Sequence, residues 1–576
     1  MLLALPVAES LARLVFDRGI PGSGPFVQHL TLWVAFLGAA VAAREGKLLA
    51  MASGEFLRGR LKRVAAIFAG GVAAGAAALL AVASWQMVAI DREVGTELAL
   101  GVPVWVAQLA MPIAFGLLAL RLAWRASSRW LGRGLAALCL LAGLGFASRP
   151  EWLEGWPGWI GLTVIVIAAL AGSPIFAVLG GAAVYLFMVG GVPAAAVPAE
   201  IYRLSVSQTL PAIPLFTLTG FLLAQGASSG RLLRVFRGFF GWLPGGTAVV
   251  ATVLCAFFTV FTGGSGVTIL ALGGLLFSAL AADRYSDRFS LGLLTASGSL
   301  GLLFPPALPL ILYGIVAQVP IKDLFIGGLV PGVLLVLLVA GWSVREGLRS
   351  KVERLPFSWG EARRAAWAAK WELLLPILAV GLIFGGFATL VEAAAFTAFY
   401  ALLVVTVFHR ELDFRKLFAT FSECTTLLGG VLIILAVAMG LTSYLVDAEI
   451  PARILEWAQQ HIESPLVFLL ALNLFLLLVG CLMDIFSAIV VVVPLIVPLG
   501  VAFGIDPIHL GIIFVANLEL GYLTPPVGLN LFLASYRFDR PLMSVWKAAL
   551  IPLAILAFGV LLITYFPPMT LALLGR

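Results

Sequence analysis

Long apolar runs separated by short polar and basic loops recur along the whole chain. The first cover residues 1–17, 28–50, 63–90 and 102–122. An apolar run of about 18 residues or more can cross a bilayer as a helix, so these segments predict spans, the first of them short or lying on the membrane. A further helix over 132–148 leads to a loop, Ser148 to Trp159, whose Trp152, Trp156 and Trp159 suit a membrane–water interface. A larger apolar block runs from about 158 to the C-terminus. A transmembrane β-barrel needs segments of alternating polarity, which Val333 to Trp342 and Phe468 to Val479 do not show.

Composition agrees with this pattern. Of 576 residues, 62% are hydrophobic and only 11% are charged, against about 25% charged in a soluble globular protein. The chain reads as a polytopic α-helical membrane protein. Its net charge of +7 is spread over short loops, which gives no nucleic-acid surface. Those loops set an orientation. With the N-terminus cytoplasmic, the clusters Arg58/Arg60/Lys62/Arg63, Arg121/Arg125/Arg129/Arg133, Arg345 to Lys370, Arg410/Arg415/Lys416 and Arg537/Arg540/Lys547 all fall inside, as the positive-inside rule requires. The C-terminus is then periplasmic.

An internal repeat with an offset near 220 residues organises the larger block. Phe304-Pro305-Pro306 answers Thr524-Pro525-Pro526, Gly220 with Arg231-Leu-Leu-Arg answers Gly440 with Ala452-Arg453-Ile-Leu, and Ser173 answers Glu392. Five crossings in each copy make the second inverted relative to the first, a recurring design of secondary transporters. Each copy carries two interruptions. Thr262-Gly263-Gly264-Ser265-Gly266 divides the run from Thr247 to Ala282, and each glycine costs a helix roughly 1 kcal/mol. This predicts a hairpin that enters and leaves on the same side. The next run, Phe289 to Ala317, contains Ser297-Gly298-Ser299 and Phe304-Pro305-Pro306, whose prolines lack the backbone donor a helix needs. The second copy repeats both features, at Gly480 to Asp484 and over Asn517 to Pro526. Non-helical backbone at membrane depth is tolerated only inside protein or around a cavity, so the four breaks predict a central binding region. Gly70 to Gly75, in contrast, reads as close helix packing.

Few ionisable residues lie within the spans. Asp484 flanks the second hairpin's break and suits a cation site or a buried hydrogen-bonding role. Glu519 reads as a cap on the broken helix or a contact to its neighbour, and Glu392 as an interfacial residue outside the site. Cys139, Cys255, Cys424 and Cys481 read as buried small apolar residues with no disulfide framework. The four histidines stand far apart, which gives no metal centre, and Gly263 to Gly266 lacks the lysine of an ATP-binding loop. Arg231, Arg234 and Arg237, interleaved with Phe236, Phe239, Phe240 and Trp242, predict an amphipathic helix on the cytoplasmic membrane surface, in contact with lipid. A subunit of an ion-translocating enzyme complex would need chains of buried Lys, Glu and His, which are missing.

At this point the chain resembles the membrane component of tripartite ATP-independent periplasmic (TRAP) transporters, in the form with fused small and large subunits. Gly504-Ile505-Asp506-Pro507-Ile508-His509, Asn517-Leu-Glu-Leu-Gly521 and Thr524-Pro-Pro-Val-Gly-Leu-Asn530 carry the likeness most strongly. Pro214-Leu-Phe216, Gly220, Gly263 to Gly266 and Phe304 to Pro306 fit as well, and Trp33 to Leu57 look like the small subunit. The resemblance implies a small-subunit-like four-helix region over 1–125 and a fusion helix and periplasmic loop over 126–157. It further implies a first large-subunit repeat over 158–344, a cytoplasmic basic connector over 345–371 and an inverted second repeat over 372–576. It implies sodium-coupled import of a small organic acid, such as sialic acid or a dicarboxylate, across a bacterial inner membrane. A soluble periplasmic binding protein would deliver the acid, and the transport domain would move as an elevator. Carried over by position, one sodium ion would lie among Ser265, Gly266, Gly298, Gly301 and Phe304, and a second among Gly480, Met483, Asp484, Gly521 and Thr524. Substrate would lie between the two tips, with Ser265, Asp484 and Thr524 as its contacts. Where the family usually carries hydroxyls, Gly266 and Ala307 stand here, which leaves the first ion site more dependent on carbonyls. A transporter, not an enzyme, is expected; a stand-alone anion carrier needing no binding protein is the alternative.

Overall fold

A computed structural model describes residues 1–50, 59–350, 356–525 and 528–576. Arg58, Lys351, Arg354, Pro526 and the end of the Trp33–Leu57 segment therefore lie outside the described residues. The chain is almost wholly helical, apart from a two-stranded antiparallel hairpin of β1 (Glu97–Ala99) and β2 (Val102–Pro103). Among the described residues, eleven helical stretches are long and apolar enough to cross a membrane, or thirteen if two bent pairs each count as one.

In chain order the first helices are α1 (Ala4–Phe16), α2 (Ser23–Glu45), α3 (Gly59–Val94), α4 (Val104–Gln108), α5 (Ala110–Arg125) and α6 (Trp130–Ser148). They are followed by α7 (Gly158–Leu170), α8 (Ile175–Val189), α9 (Ala196–Ser205), α10 (Ala212–Gln225) and α11 (Ser228–Phe240). The first hairpin is α12 (Gly246–Thr262) and α13 (Ser265–Ala282), and the first broken helix is α14 (Asp287–Ser297) and α15 (Leu308–Ala317). Next come α16 (Ile321–Arg349), α17 (Trp359–Ala368), α18 (Lys370–Phe384), α19 (Leu390–Leu403), α20 (Phe414–Asp447) and α21 (Ile450–His461). The second hairpin is α22 (Pro465–Leu482) and α23 (Ile485–Ala502), the second broken helix α24 (Pro507–Gly521) and α25 (Leu529–Phe538), and α26 (Leu542–Tyr565) and α27 (Pro568–Leu571) complete the chain.

The chain divides into two compact units, Met1–Pro214 with Phe421–Ile454, and Leu215–Thr420 with Leu455–Arg576. This division cuts across the repeat boundaries read from the sequence, because α20 contributes to the unit of the N-terminal helices. Within the first unit, small residues set the spacing of the helices. A Cβ on Gly143 of α6 would lie 2.4 Å from the Gly75 carbonyl oxygen of α3, and one on Gly75 would lie 2.9 Å from the Cys139 oxygen. The Gly70–Gly75 stretch is a packing seam, as its composition suggested. Without a hydrophobic force between helices in lipid, such close backbone approach is what dispersion contacts demand. Cys139 itself is exposed on α6, while Cys255, Cys424 and Cys481 are buried, and all four are free. The expectation of burial fails at Cys139 because α6 packs through only one face.

In the second unit the hairpin and broken helix occur twice. Each hairpin packs on the other copy's broken helix, α13 on α25 and α23 on α15. Glu392 lies in the first turn of α19. It forms a capping box with Thr389, accepting from the Thr389 amide at 2.8 Å while its own amide donates to the Thr389 hydroxyl at 3.3 Å.

Arg231 departs from its expected place on a lipid-facing surface. Its guanidinium donates from Nε to Glu372 Oε1 at 2.7 Å and pairs also with Glu411. Glu411 further accepts from the Ala227 amide at 2.8 Å, and His409 lies 3.3 Å from Glu372. Glu372 is fully buried. Burial pushes the Glu411 carboxyl up, but the bonds from Arg231 and Ala227 outweigh it and hold the group below its ordinary range. Hydropathy alone places an arginine on a polar face; it carries no sign of acidic partners 141 and 180 positions away.

Gly143→Leu is expected to force α6 off α3, at a cost of about 1–3 kcal/mol. Gly145→Ala, where an added Cβ meets nothing within 4 Å, is expected to be silent. Thermal unfolding of the two purified variants in detergent checks the contrast, and equal melting temperatures would refute it.

Candidate functional site

The first hairpin turns on two glycines. Gly263, at φ +65°, closes α12 by donating its amide to the Thr259 carbonyl, and an L residue there would be strained. Gly264 follows in extended conformation as the N-cap of α13, which has no side-chain cap at all. Thr259 supports the turn from beneath, donating its hydroxyl to the Gly298 carbonyl at 2.8 Å and meeting the Thr268 hydroxyl at 2.8 Å.

The structure brings Ser265 and Gly298 together and seats Gly301 against α12. A Cβ on Gly298 would lie 3.4 Å from the Ser265 carbonyl oxygen, and one on Gly301 would lie 2.3 Å from the Ala256 oxygen. The absence of side chains at both positions lets the unwound segment press against the hairpin. Gly266 faces another way, toward Leu533 of α25. Phe304 directs its ring at Gly332 of α16, while its carbonyl accepts from the Ala307 amide at 2.9 Å. Between α14 and α15 the chain makes successive tight turns, including Leu302 to Ser299 and Phe304 to Gly301.

The second hairpin holds its tip differently. Asp484 is the N-cap of α23, accepting from the amides of Phe486 at 3.0 Å and Ser487 at 3.1 Å and from the Ser487 hydroxyl at 2.5 Å. Its carboxylate therefore compensates the helix N-terminus, an orphan-donor site that favours negative charge. Gly480 and Gly521 meet at backbone distance, since a Cβ on Gly521 would lie 2.4 Å from the Gly480 Cα. Met483 is extended, its amide donating to the Val479 carbonyl at 2.9 Å. Thr524 turns its hydroxyl back onto the Leu520 carbonyl at 2.9 Å.

Two expectations about this segment need correction. The helix does not break over Asn517 to Gly521; α24 continues through Gly521, and the break begins at Tyr522. Glycine at that point serves the contact with Gly480 rather than a turn. Nor does Glu519 cap the broken helix. It is buried on α24, and neither carboxyl oxygen has a hydrogen-bond partner among the described residues.

Sequence reasoning missed three contributors. The Tyr522 hydroxyl accepts from the Ile485 amide at 2.8 Å, tying the second break to the second tip. The Asn530 amide donates to the Thr295 carbonyl at 3.1 Å and so links α25 to α14, one from each copy. Asn473 joins α22 to α24 by accepting from Asn517 at 2.6 Å, and to α26 through Thr564 at 3.2 Å. A polar residue in an apolar run was the available signal for each. Buried oxygens without partners among the described residues include Ser265 Oγ at the first tip, Ser297 Oγ at the end of α14 and Asn530 Oδ1 on α25. Unsatisfied groups of this kind cost about 1–3 kcal/mol each, and a bound cation or anion would remove that penalty.

Gly521→Val is expected to cost about 1–3 kcal/mol by overpacking, while Gly381→Ala, with open space around the added Cβ, leaves the melting temperature unchanged. Comparable stability of the two variants would exclude the Gly480–Gly521 contact.

Comparison with known proteins follows the same lines. The family model "Tripartite ATP-independent periplasmic transporter, DctM component" matches residues 162–569. The DctQ component of the same transporters matches residues 2–132. The isethionate TRAP transporter permease protein DctMQ of Oleidesulfovibrio alaskensis is 33% identical over 487 residues, covering 82% of this chain and 75% of that protein. The C4-dicarboxylate TRAP transporter large permease protein DctM of Vibrio cholerae is 33% identical over 385 residues, covering 62% of this chain and 84% of its own length. The sialic acid TRAP transporter large permease protein SiaM of Vibrio cholerae is 30% identical over 423 residues, covering 72% and 96% respectively.

Proposed function

The chain belongs to the TRAP transporter family, as a permease matching both membrane components, and from that premise we propose that it imports a small organic acid coupled to sodium ions. It is a multi-pass membrane transport protein rather than an enzyme. The acid is delivered by a periplasmic substrate-binding protein, and the hairpins and broken helices move as an elevator in the bacterial inner membrane. The N-terminus is cytoplasmic and the C-terminus periplasmic. The relatives named for isethionate, C4-dicarboxylates and sialic acid support an anionic substrate.

The observation that carries the chemistry is the difference between the two tips. At α23 the helix N-terminus is already matched by Asp484, while at α13 the equivalent position is Gly264 and offers no side chain. An anion is therefore drawn to the α13 terminus, where Ser265 supplies a hydroxyl. A sodium ion beside it lies among Ser265, Gly266, Gly298, Gly301 and Phe304, held mainly by carbonyls, and helps neutralise the acid. The second ion lies among Gly480, Met483, Asp484, Gly521 and Thr524, where the Asp484 charge favours a cation. Thr524 completes the substrate contacts. Each sodium crossing 100 mV contributes about 2.3 kcal/mol, so two supply roughly 4.6 kcal/mol before any concentration gradient, partly offset by the substrate's own negative charge.

Uptake of candidate acids into proteoliposomes, with and without an inward sodium gradient and the binding protein, tests this directly. Uptake is expected to need both; sodium-driven uptake without the binding protein would instead establish a stand-alone carrier. Ser265→Ala and Asp484→Asn are each expected to raise the sodium concentration for half-maximal uptake about tenfold, the equivalent of about 1.4 kcal/mol. Asp484→Asn retains an acceptor for the cap, so its melting temperature should stay near that of the parent. Unchanged sodium activation in both variants would overturn the site assignment.

A further inference from the structure

Away from the hairpins, α11 and α17 form a paired layer. Each turns sharply from the apolar helix beside it, α11 by 81° from α10 and α17 by 70° from α18. If α10 and α18 cross the membrane, the two short helices run along its surface. They meet through small residues, since a Cβ on Gly238 would lie 3.0 Å from the Ala362 Cα. Phe239 packs edge-on against Trp359, with ring centroids 6.4 Å apart.

Between these helices lies a cavity of about 460 Å³, whose charged lining is Arg234, Arg237, Glu361 and Arg364. Arg237 is partly engaged by Asp283 at 3.6 Å, yet its Nε is buried without a partner among the described residues. Arg234 and Arg364 are exposed and make no ion pair among the described residues. Two free guanidinium groups and one carboxylate leave the cavity positive. Its surroundings are aromatic: Trp242, Trp359 and Trp367 are 48%, 71% and 70% exposed. Tryptophans of this kind prefer the headgroup level of a bilayer, and guanidinium forks match phosphate oxygens in pairs.

We propose that this cavity is a binding site for the headgroup of an anionic phospholipid, with Arg234 and Arg364 clamping the phosphate and the tryptophans lying beside the acyl chains. A soluble anion would explain the arginines but not the exposed indole rings around them. Basic pockets between helices at the membrane surface bind lipid headgroups through this combination of charge and apolar contact.

Native mass spectrometry of the full chain in detergent, titrated with phosphatidylglycerol or phosphatidylcholine of matched acyl chains, reads the site without any mutation. Phosphatidylglycerol is expected to be retained preferentially. Arg234→Ala with Arg364→Ala should weaken its binding about twenty-five-fold, at about fivefold for each arginine. Arg234→Lys with Arg364→Lys, which keeps both charges, should lose less than the alanine pair. Equal retention of the two lipids by the parent protein would overturn the proposal, as would unchanged phosphatidylglycerol binding in a folded alanine pair. Glycerol phosphate is expected not to compete at the same concentration; displacement of the lipid by it alone would make the cavity a site for soluble anions and also overturn the proposal.

Discussion

In the hydrocarbon layer a backbone amide or carbonyl left without a partner costs several kcal/mol, and the interrupted helices of this protein are arranged around that constraint. Where α13 and α23 begin and where α14 and α24 end, the helical ladder stops and other groups replace it. Thr259 serves the Gly298 carbonyl, Tyr522 the Ile485 amide and Asp484 the amides of Phe486 and Ser487. The Gly528 amide reaches the Cys481 carbonyl at 3.2 Å. Asp484 caps its own helix, while the bonds of Thr259, Tyr522 and Gly528 reach across to a neighbouring segment and tie each interruption to another. Where this provision is incomplete, at Ser265 Oγ, Ser297 Oγ and Asn530 Oδ1, buried oxygens are left without partners among the described residues.

Much of this arrangement could be read from residue order. Three glycines within four residues at Gly263 to Gly266 disfavour a helix, and the tandem prolines recur at an interval that matches the repeat. The position of the hairpin turns follows, because each turn needs backbone freedom or a capping acceptor, which Gly263-Gly264 and Asp484 supply. The extent of α24 was harder to read. Asn517 to Gly521 contains polar groups and a glycine, features shared by unwound segments, but Asn517 is satisfied by Asn473 and Gly521 by a glycine on the facing helix. Both partners lie about forty positions away, beyond any local pattern. The same reason hid Arg231, whose charge is matched by Glu372 and Glu411. Local periodicity shows which face is apolar; it does not show which distant group will meet a polar one.

The two copies share an architecture while differing in electrostatics. A glycine cap leaves the positive end of one helix available, and an aspartate cap neutralises the other. The backbone differs as well, Gly263 being left-handed where Met483 is extended, so the duplicated element has diverged in both charge and turn geometry.

The seam between α3 and α6 has a bearing on how such chains come to be one polypeptide or two. Where Gly75 and Gly143 touch, the helices are held by surface fit over several turns, and the short peptide from Arg125 to Trp130 joins that packing through Ala126, which lies against Gly70. A chain cleaved in that peptide would still present the same pair of surfaces to each other. Most of α6 lies between the stretches that match the two membrane components, 2–132 and 162–569, so its seam with α3 holds the connecting segment against the first and shortens the free tether to the second.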